Sequence, residues 1–381
     1  MAWLSGWDKR IKATVDSAVV DADLTQFPVT LIGGTSVGKT SADISAIFDE
    51  VGSNWEKIAV TQTDGETELY VEKELWDSVG EKFVLHCSKP GWVLDGDADS
   101  DLYIYYDNDH ADNTTYVGAI NSTPGAAVWD ANHLGVWHMA DATTSTVKDS
   151  TSNNKDGTKK GANEPIVAAA KVGNGQDFDG SNDYITFGTG LGLSGAGTIE
   201  WWLYYQNAGS AGDRLMIVKR DGSGTNYQLS VLAAPSGGAS HIGWYDGTNP
   251  DVLTYTPTAN TWTRLIFVRT GTTEFKLYVN GAYSETLASD WGAGTSAELT
   301  MGGSVPVGGF YCDCVLDEVR ISNVVRSAAW IKADYYNQTD ALLTWGSEER
   351  VWAAIAGVTY ANVARVAGVA KADIATIAGV A

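Results

Sequence analysis

The sharpest chemical pattern in the 381-residue chain is Gly33-Gly-Thr-Ser-Val-Gly-Lys-Thr40, which satisfies the Gly-x-x-x-x-Gly-Lys-Thr spacing of a phosphate-binding loop. In such a loop backbone N–H groups cradle phosphates, with Lys39 and Thr40 placed to engage phosphate and Mg²⁺. That chemistry needs a parallel strand–helix–strand core, whereas the flanking segments read as antiparallel strands without crossover helices. A surface loop rich in Gly and Thr is the better reading. Asp95, Asp97, Asp99 and Asp101 alternate as oxygen ligands of a Ca²⁺ loop would. An EF-hand counted from Asp95 needs Gly and Glu where the chain has Ser100 and Tyr106, so a solvated acidic turn is expected. His86, His110, His133, His138 and His241 show no metal-ligand spacing, and no Gly-x-Ser-x-Gly nucleophile elbow occurs.

The elements that carry these residues are set by composition. With 25 Lys+Arg against 47 Asp+Glu, the formal net charge is −22. Nucleic acid and anionic membrane surfaces are therefore poor partners, since both require clustered basic residues. Forty-two glycines, 15 tryptophans and only 19% charged residues point to strands and tight turns rather than long helices. Three cysteines make no disulfide framework: Cys87 reads as a buried thiol, and Cys312 and Cys314 share one strand face. No apolar run reaches the length of a membrane span. The N-terminus lacks a basic-then-apolar leader, so export by lysis or by assembly into a virion is expected.

Four stretches follow along the chain. Residues 1–120 carry strand signals at Lys9–Val15, Phe27–Ile32, Lys57–Thr61, Glu68–Val71, Lys82–His86 and Leu102–Tyr106, separated by turns such as Asp64-Gly65 and Pro90-Gly91, which predicts an antiparallel sandwich. Residues 121–135 read as a linker. Residues 136–346 repeat strand signals about every ten residues, including Thr198–Tyr205, Trp262–Arg269 and Leu316–Ile321. Asn280-Gly281 is a type I′ hairpin signal, and Ser327 is placed to cap a helix over Ala328–Tyr336 that turns Trp330 and Ile331 inward. Residues 347–381 change to Ala, Val and Ile, with Gly357, Gly368 and Gly379 recurring every 11 residues. Val363/Val366 and Ile374/Ile377 are spaced for one helical turn per repeat. So few turns cannot bury a core alone, which predicts packing on a neighbouring copy, with docking on its own chain as the alternative.

The residues Trp3-Leu-Ser-Gly-Trp-Asp-Lys-Arg10, Asp23-Leu-Thr-Gln-Phe-Pro-Val29 and Asp101-Leu-Tyr-Ile-Tyr-Tyr-Asp107 resemble an uncharacterised β-sandwich family that precedes lectin-like modules in microbial and viral surface proteins. Gly135-Val-Trp-His138, Phe178-Asp-Gly-Ser-Asn-Asp-Tyr-Ile185, Thr198-Ile-Glu-Trp-Trp202, Leu277-Tyr-Val-Asn-Gly281 and Leu316-Asp-Glu-Val-Arg-Ile-Ser322 resemble the laminin-G/concanavalin-A-like superfamily. The tail resembles Ala-Gly-Val repeats at the ends of phage structural proteins. Together these imply an all-β chain: two antiparallel sandwiches, the second a jelly roll, and a short helical tail.

The lectin resemblance implies carbohydrate binding and a structural Ca²⁺, with Asp317 placed toward the ion and Asp179 and Asp183 supplying further oxygens. Sugar binding needs an aromatic platform, for which Trp202, Trp244, Tyr245 and Trp291 are candidates; Trp201 and Trp202 point to opposite faces, so one of them lies outside the core. Jelly-roll glycoside hydrolases carry two acids on one strand face, but Asp317 and Glu318 are adjacent and are expected to point opposite ways. The expectation is therefore a non-enzymatic adhesion protein on a virion or extracellular surface. It would assemble as a homo-oligomer or with other virion proteins and contact cell-surface polysaccharide, without nucleic acid or membrane insertion. A secreted bacterial or archaeal carbohydrate-binding or matrix protein is the alternative.

Overall fold

Alternation decides the first sandwich. In Lys9–Val15 the side chains of Ile11, Ala13 and Val15 turn inward and are buried, as a strand with one wet face requires. This strand pairs antiparallel with Ser100–Tyr106 on one side and with Leu343–Arg350 on the other; Ile58–Thr61 completes the sheet beyond Ser100–Tyr106. The facing sheet runs Val29–Gly33, Lys82–Ser88, Tyr70–Asp77 and Val117–Ala119, the last of them parallel to its neighbour. The computed structural model describes residues 2–351 except 143–144, 162–163, 190, 192–194, 207–214, 221–226, 233–241, 246–249, 272–273, 289–296 and 304–308, and beyond 351 only 365–366 and 369–370.

The first core is closed by the far end of the chain. Phe27, Leu31, Phe83, Leu85 and Ile104 pack with Trp330, Ala333, Leu343 and Trp345. The division expected at residue 346 therefore cuts through a single strand of the first sandwich. Leu343 and Trp345 alternate inward, while Glu349 bonds the Arg10 guanidinium at 2.7 Å on the outside. Likewise, the stretch read as a linker already holds a short helix, Thr123–Ala126, and the start of the strand His133–Trp137, which pairs with Asp313–Ser322.

The phosphate-loop pattern lies in a turn. Val37 and Ala42 pair across it, and Val29–Gly33 runs antiparallel to Lys82–Ser88. The Gly38 N–H donates to Asp340 Oδ2 at 2.7 Å, the Lys39 N–H to the Leu343 carbonyl at 2.8 Å, and the Lys39 ammonium pairs with Asp16. Two amides and the ammonium of the pattern thus hold this chain's own groups. The acidic turn is taken apart in the same way: Asp95 accepts the Asp97 amide, Asp99 the Ser17 amide and Asp101 the Thr14 hydroxyl.

The second sandwich packs two sheets around Trp137, Phe178, Ile199, Trp201, Leu203, Phe267, Leu277 and Leu316. One sheet runs Ile166–Ala169, Asn174–Asp179, Asp313–Ser322, Gly197–Tyr205, Trp262–Arg269, Phe275–Val279 and Ala282–Leu287. The other runs from Thr146–Val147 through Glu298–Met301 and Leu215–Arg220 to Pro250–Val252. Asn280 and Gly281, at φ +50° and +80°, make the hairpin turn that the sequence predicts. Ser327 caps the helix Ala328–Gln338 by accepting the Trp330 amide at 3.1 Å. Trp330 and Ala333 enter the first core, whereas Ile331 packs on Ile266 and Val268, so this helix is shared by both sandwiches. In the tail, Arg365–Val366 and Val369–Ala370 form a two-residue antiparallel pair. Val366, expected in a helical turn with Val363, therefore lies in a strand; the other positions of the repeats, Gly357, Val363, Gly368, Ile374, Ile377 and Gly379, lie outside the described residues.

Candidate functional site at the junction of the sandwiches

Strand parity turns Glu200 and Trp202 away from the jelly-roll core that takes Ile199, Trp201 and Leu203. Arg264 and Arg320 extend this outward row on the neighbouring strands. On an open sheet these groups would be wet, yet all four are at most 1% exposed, because the shared helix and the first sandwich cover the face. Trp202, expected as a sugar platform, donates its indole N–H to Gln338 Oε1 at 2.5 Å and packs against Tyr335. It is a junction residue, unable to meet a ligand.

A β-bulge supplies the acids. Asp317 pairs with Trp202 and Arg320 with Glu200, so Glu318 and Val319 together oppose Trp201. Glu318 takes up the extra residue with φ +49°. Leu316, Val319 and Ile321 stay in the core, so parity switches at the bulge and Asp317 and Glu318 share the outward side. The expectation that these neighbours point opposite ways therefore fails.

Four segments converge here. Glu74 on Tyr70–Asp77 and His86 on Lys82–Ser88 come from the first sandwich; His138, just past His133–Trp137, and Glu318 come from the second. His86 Nε2 lies 2.9 Å from Glu74 Oε2, and His86 Nδ1 lies 3.1 Å from the Thr30 hydroxyl. His138 Nδ1 pairs with Glu318 Oε1 and lies 3.6 Å from Glu74 Oε2, while its Nε2 lies 3.2 Å from Glu72 Oε2. The two imidazoles stack with centroids 4.5 Å apart. Around them Arg320 bonds Glu318 and Asp334, Arg264 pairs with Glu200 and Asp334, and the Trp129 indole donates to Glu72 at 2.7 Å.

Charge decides how this assembly is held. Burial alone would lower His138, but the Glu318 and Glu74 carboxylates outweigh it and raise its pKa well above the ordinary histidine value. Burial, with the His138 charge beside it, pushes His86 well down. Burial also raises Glu74 and Asp317 well above the carboxylate range, whereas His138 and Arg320 overcome it at Glu318 and hold that group well below. Among the described residues the junction buries six carboxylates (Glu72, Glu74, Glu200, Asp317, Glu318, Asp334) against two guanidiniums, Arg264 and Arg320. Oxygens on Glu72, Glu74 and Asp317 lack hydrogen-bond partners. The junction thus needs further positive charge, as protons or as a cation.

The calcium set does not assemble. Asp317 is fully buried and accepts the Val172 amide at 2.8 Å. Asp179 pairs with Asp313, four residues earlier on that strand, which is about 13 Å away. Asp179 and Asp183 close their own turn, through the Ser181 amide at 2.8 Å and the Asp179 amide at 3.1 Å respectively. Trp244 and Tyr245 belong to the strand Gly243–Tyr245 of the second sheet, with side chains outside the described set, as is Trp291. The histidines at the junction have no sequence spacing to betray them, because four separate segments supply the cluster. The one available signal is charge inside apolar strand runs, as at His86 in Phe83-Val-Leu-His-Cys87 and in Leu316-Asp-Glu-Val-Arg-Ile321.

Residues 179–332 match the family model of the concanavalin A-like lectin/glucanases superfamily. No curated protein sequence matches the chain. Among solved structures the chain is similar to domain 4 of AbnA, a GH43 extracellular arabinanase from Geobacillus stearothermophilus in complex with arabinotriose, at 19% identity and TM-score 0.41, covering 54% of this chain and 99% of that one. It is similar to the binding domain of Paraclostridial Mosquitocidal Protein 1 at 11% identity and TM-score 0.43, covering 54% and 52%. It is also similar to Trypanosoma rangeli sialidase in complex with sialic acid at 14% identity and TM-score 0.43, covering 73% and 46%. The chain thus spans about half the length of the last two. Residues 179–332 are a concanavalin A-like lectin/laminin G domain, and a β-rich N-terminal unit is packed against it.

Proposed function

We propose that the chain is a non-enzymatic recognition protein that works outside the cell, presenting its lectin-like domain to glycans on a fixed N-terminal base. The observation that carries this reading is the sealed outward face around Trp202, Arg264 and Arg320, beside the family match over 179–332. With that face committed to docking, ligand contact falls to the opposite sheet and its loops, where Trp244, Tyr245 and Trp291 lie in sequence. Burial of Asp317 and Glu318 supports the absence of catalysis, since no polysaccharide reaches acids covered by a second domain. A glycan array, followed by calorimetric titration of hits with and without Ca²⁺, tests the reading. Binding lost on substituting Trp244 or Trp291 by Ala is expected; an array without hits refutes it.

A second reading rests on the Ala-Gly-Val repeats at 11-residue spacing. In it the tail anchors the protein to copies of itself or to other components of a virus particle. A chain ended at residue 351 should then assemble into particles of fewer copies than the full chain does, and an unchanged number of copies per particle refutes the anchoring role.

A further inference from the structure

Glu74, His86, His138 and Glu318 each offer one donor atom, and the four lie within 4.8 Å of one another on side chains sealed from solvent; His86 Nε2 meets Glu74 Oε2, and His138 Nδ1 meets Glu318 Oε1. We propose that this cluster is a closed zinc-class metal site that staples the lectin-like domain to the N-terminal sandwich. Each unit supplies one imidazole nitrogen and one carboxylate oxygen, so the full ligand set exists only while the two are docked.

Geometry, unfilled valence and charge point the same way. Four donors about 2.0–2.1 Å from a tetrahedral ion lie about 3.3 Å apart. The separations of 2.9 Å (His86 to Glu74) and 3.6 Å (His138 to Glu74) bracket that value, while His138 Nδ1 and Glu318 Oε1 lie in direct contact and have to part to admit the ion. Glu74 Oε1 is buried without a hydrogen-bond partner, as is Glu72 Oε1. The outer ring of contacts is that of a metal-bound histidine pair. Glu72 Oε2 holds the Nε2 side of His138, and the Thr30 hydroxyl, itself bonded by the Asn337 amide at 3.0 Å, holds the Nδ1 side of His86. Each ring therefore turns its other nitrogen to the centre. Arg320 occupies the second oxygen of Glu318. A dication would relieve the excess of six buried carboxylates over two guanidiniums while both imidazoles stay neutral. Two nitrogens in a set of four suit zinc and its neighbours; Ca²⁺ asks for about 6–8 oxygens. Four protein ligands leave no open position, which makes the role structural.

The competing account is a cluster held by protons alone, and the experiment separates the two. The full chain is stripped with EDTA, dialysed into metal-free buffer and titrated with ZnCl₂ or CoCl₂ while bound metal is counted by mass spectrometry. One equivalent per chain is expected, with the intense visible bands of four-coordinate cobalt, displacement of cobalt by zinc, and a thermal midpoint that rises on loading. His86→Gln and Glu318→Gln should each lose the equivalent. Glu72→Gln keeps all four ligands and should weaken binding about 10–100-fold. Failure of the wild-type chain to take up either metal overturns the proposal, as does a weak six-coordinate cobalt spectrum. A full equivalent retained by both ligand variants places the ion elsewhere and also overturns it. If those variants do not fold, the wild-type stoichiometry and cobalt spectrum decide alone.

Discussion

Acidification should weaken the fold through His133. This residue opens the strand His133–Trp137 and is 1% exposed. Its Nδ1 lies 2.8 Å from Asp130, and the Arg326 guanidinium, which also grips Asp130 at 2.8 and 2.9 Å, lies 3.2 Å from Nε2. Burial, reinforced by the Arg326 charge, lowers the imidazole to about 4, against 6.5 ordinarily. Because the folded value is the lower one, the unfolded chain takes up its proton first as pH falls. Stability is therefore lost between about pH 6.5 and about pH 4 and levels off below. The interval of about 2.5 units corresponds to about 3 kcal/mol. Asp130, held well below the carboxylate range by His133 and Arg326 despite its burial, stays ionised throughout that window. Other groups at the junction titrate too, so the test is a difference. Urea unfolding is followed for the wild type and for His133→Gln, whose amide can still donate to Asp130 but gains no proton. The stability advantage of the wild type should shrink by about 3 kcal/mol from about pH 7 to about pH 4. A gap that stays constant, or widens on acidification, would show that the folded chain carries His133 charged and would refute the reasoning.

Trp202→Ala empties a fully covered position and should cost about 3–5 kcal/mol in urea unfolding, while glycan binding by the surviving folded fraction stays unchanged. At Gly173, φ is +58° and an added Cβ would collide with Glu74 Oε1; Gly173→Ala should cost upwards of about 1 kcal/mol, and an unaltered unfolding midpoint would contradict the packing of this loop over the cluster. Lys39→Ala removes a half-exposed pair with Asp16 and should change stability by no more than about 1 kcal/mol, with no nucleotide hydrolysis measurable before or after. A chain ended at residue 341 loses Leu343 and Trp345 and should lose the near-ultraviolet dichroism of the first sandwich, which a chain ended at 351 keeps.

The shared helix and the strand Leu343–Arg350 explain why the two sandwiches should behave as one folding unit. Trp330, Ala333, Leu343 and Trp345 follow the lectin-like domain in sequence, yet they complete the core of the N-terminal one. The first sandwich thus closes only after the second has been synthesised. Arg326, clamped on Asp130 ahead of that helix, fixes the angle at which the chain returns.

The all-β character, most strand positions, the Asn280-Gly281 hairpin and the Ser327 cap were legible in the sequence because each depends on a few adjacent residues: a period of two, a turn pair, a hydroxyl before a helix. The match of residues 179–332 to a lectin-like fold was legible for the same reason, carried by short runs such as Thr198-Ile-Glu-Trp-Trp202. The fate of the outward face was not. Parity set Trp201 and Trp202 on opposite faces, but which of them enters the core, and whether the other meets water or protein, depends on what docks there, and those segments lie more than a hundred residues away. One inserted residue at Glu318 reversed parity locally and set two acids side by side, a distortion that no alternation rule announces. Glu74, His86, His138 and Glu318 are scattered along the chain and become neighbours only when two sheets meet. Local propensity determined the strands; the burial of their charges was decided by long-range docking.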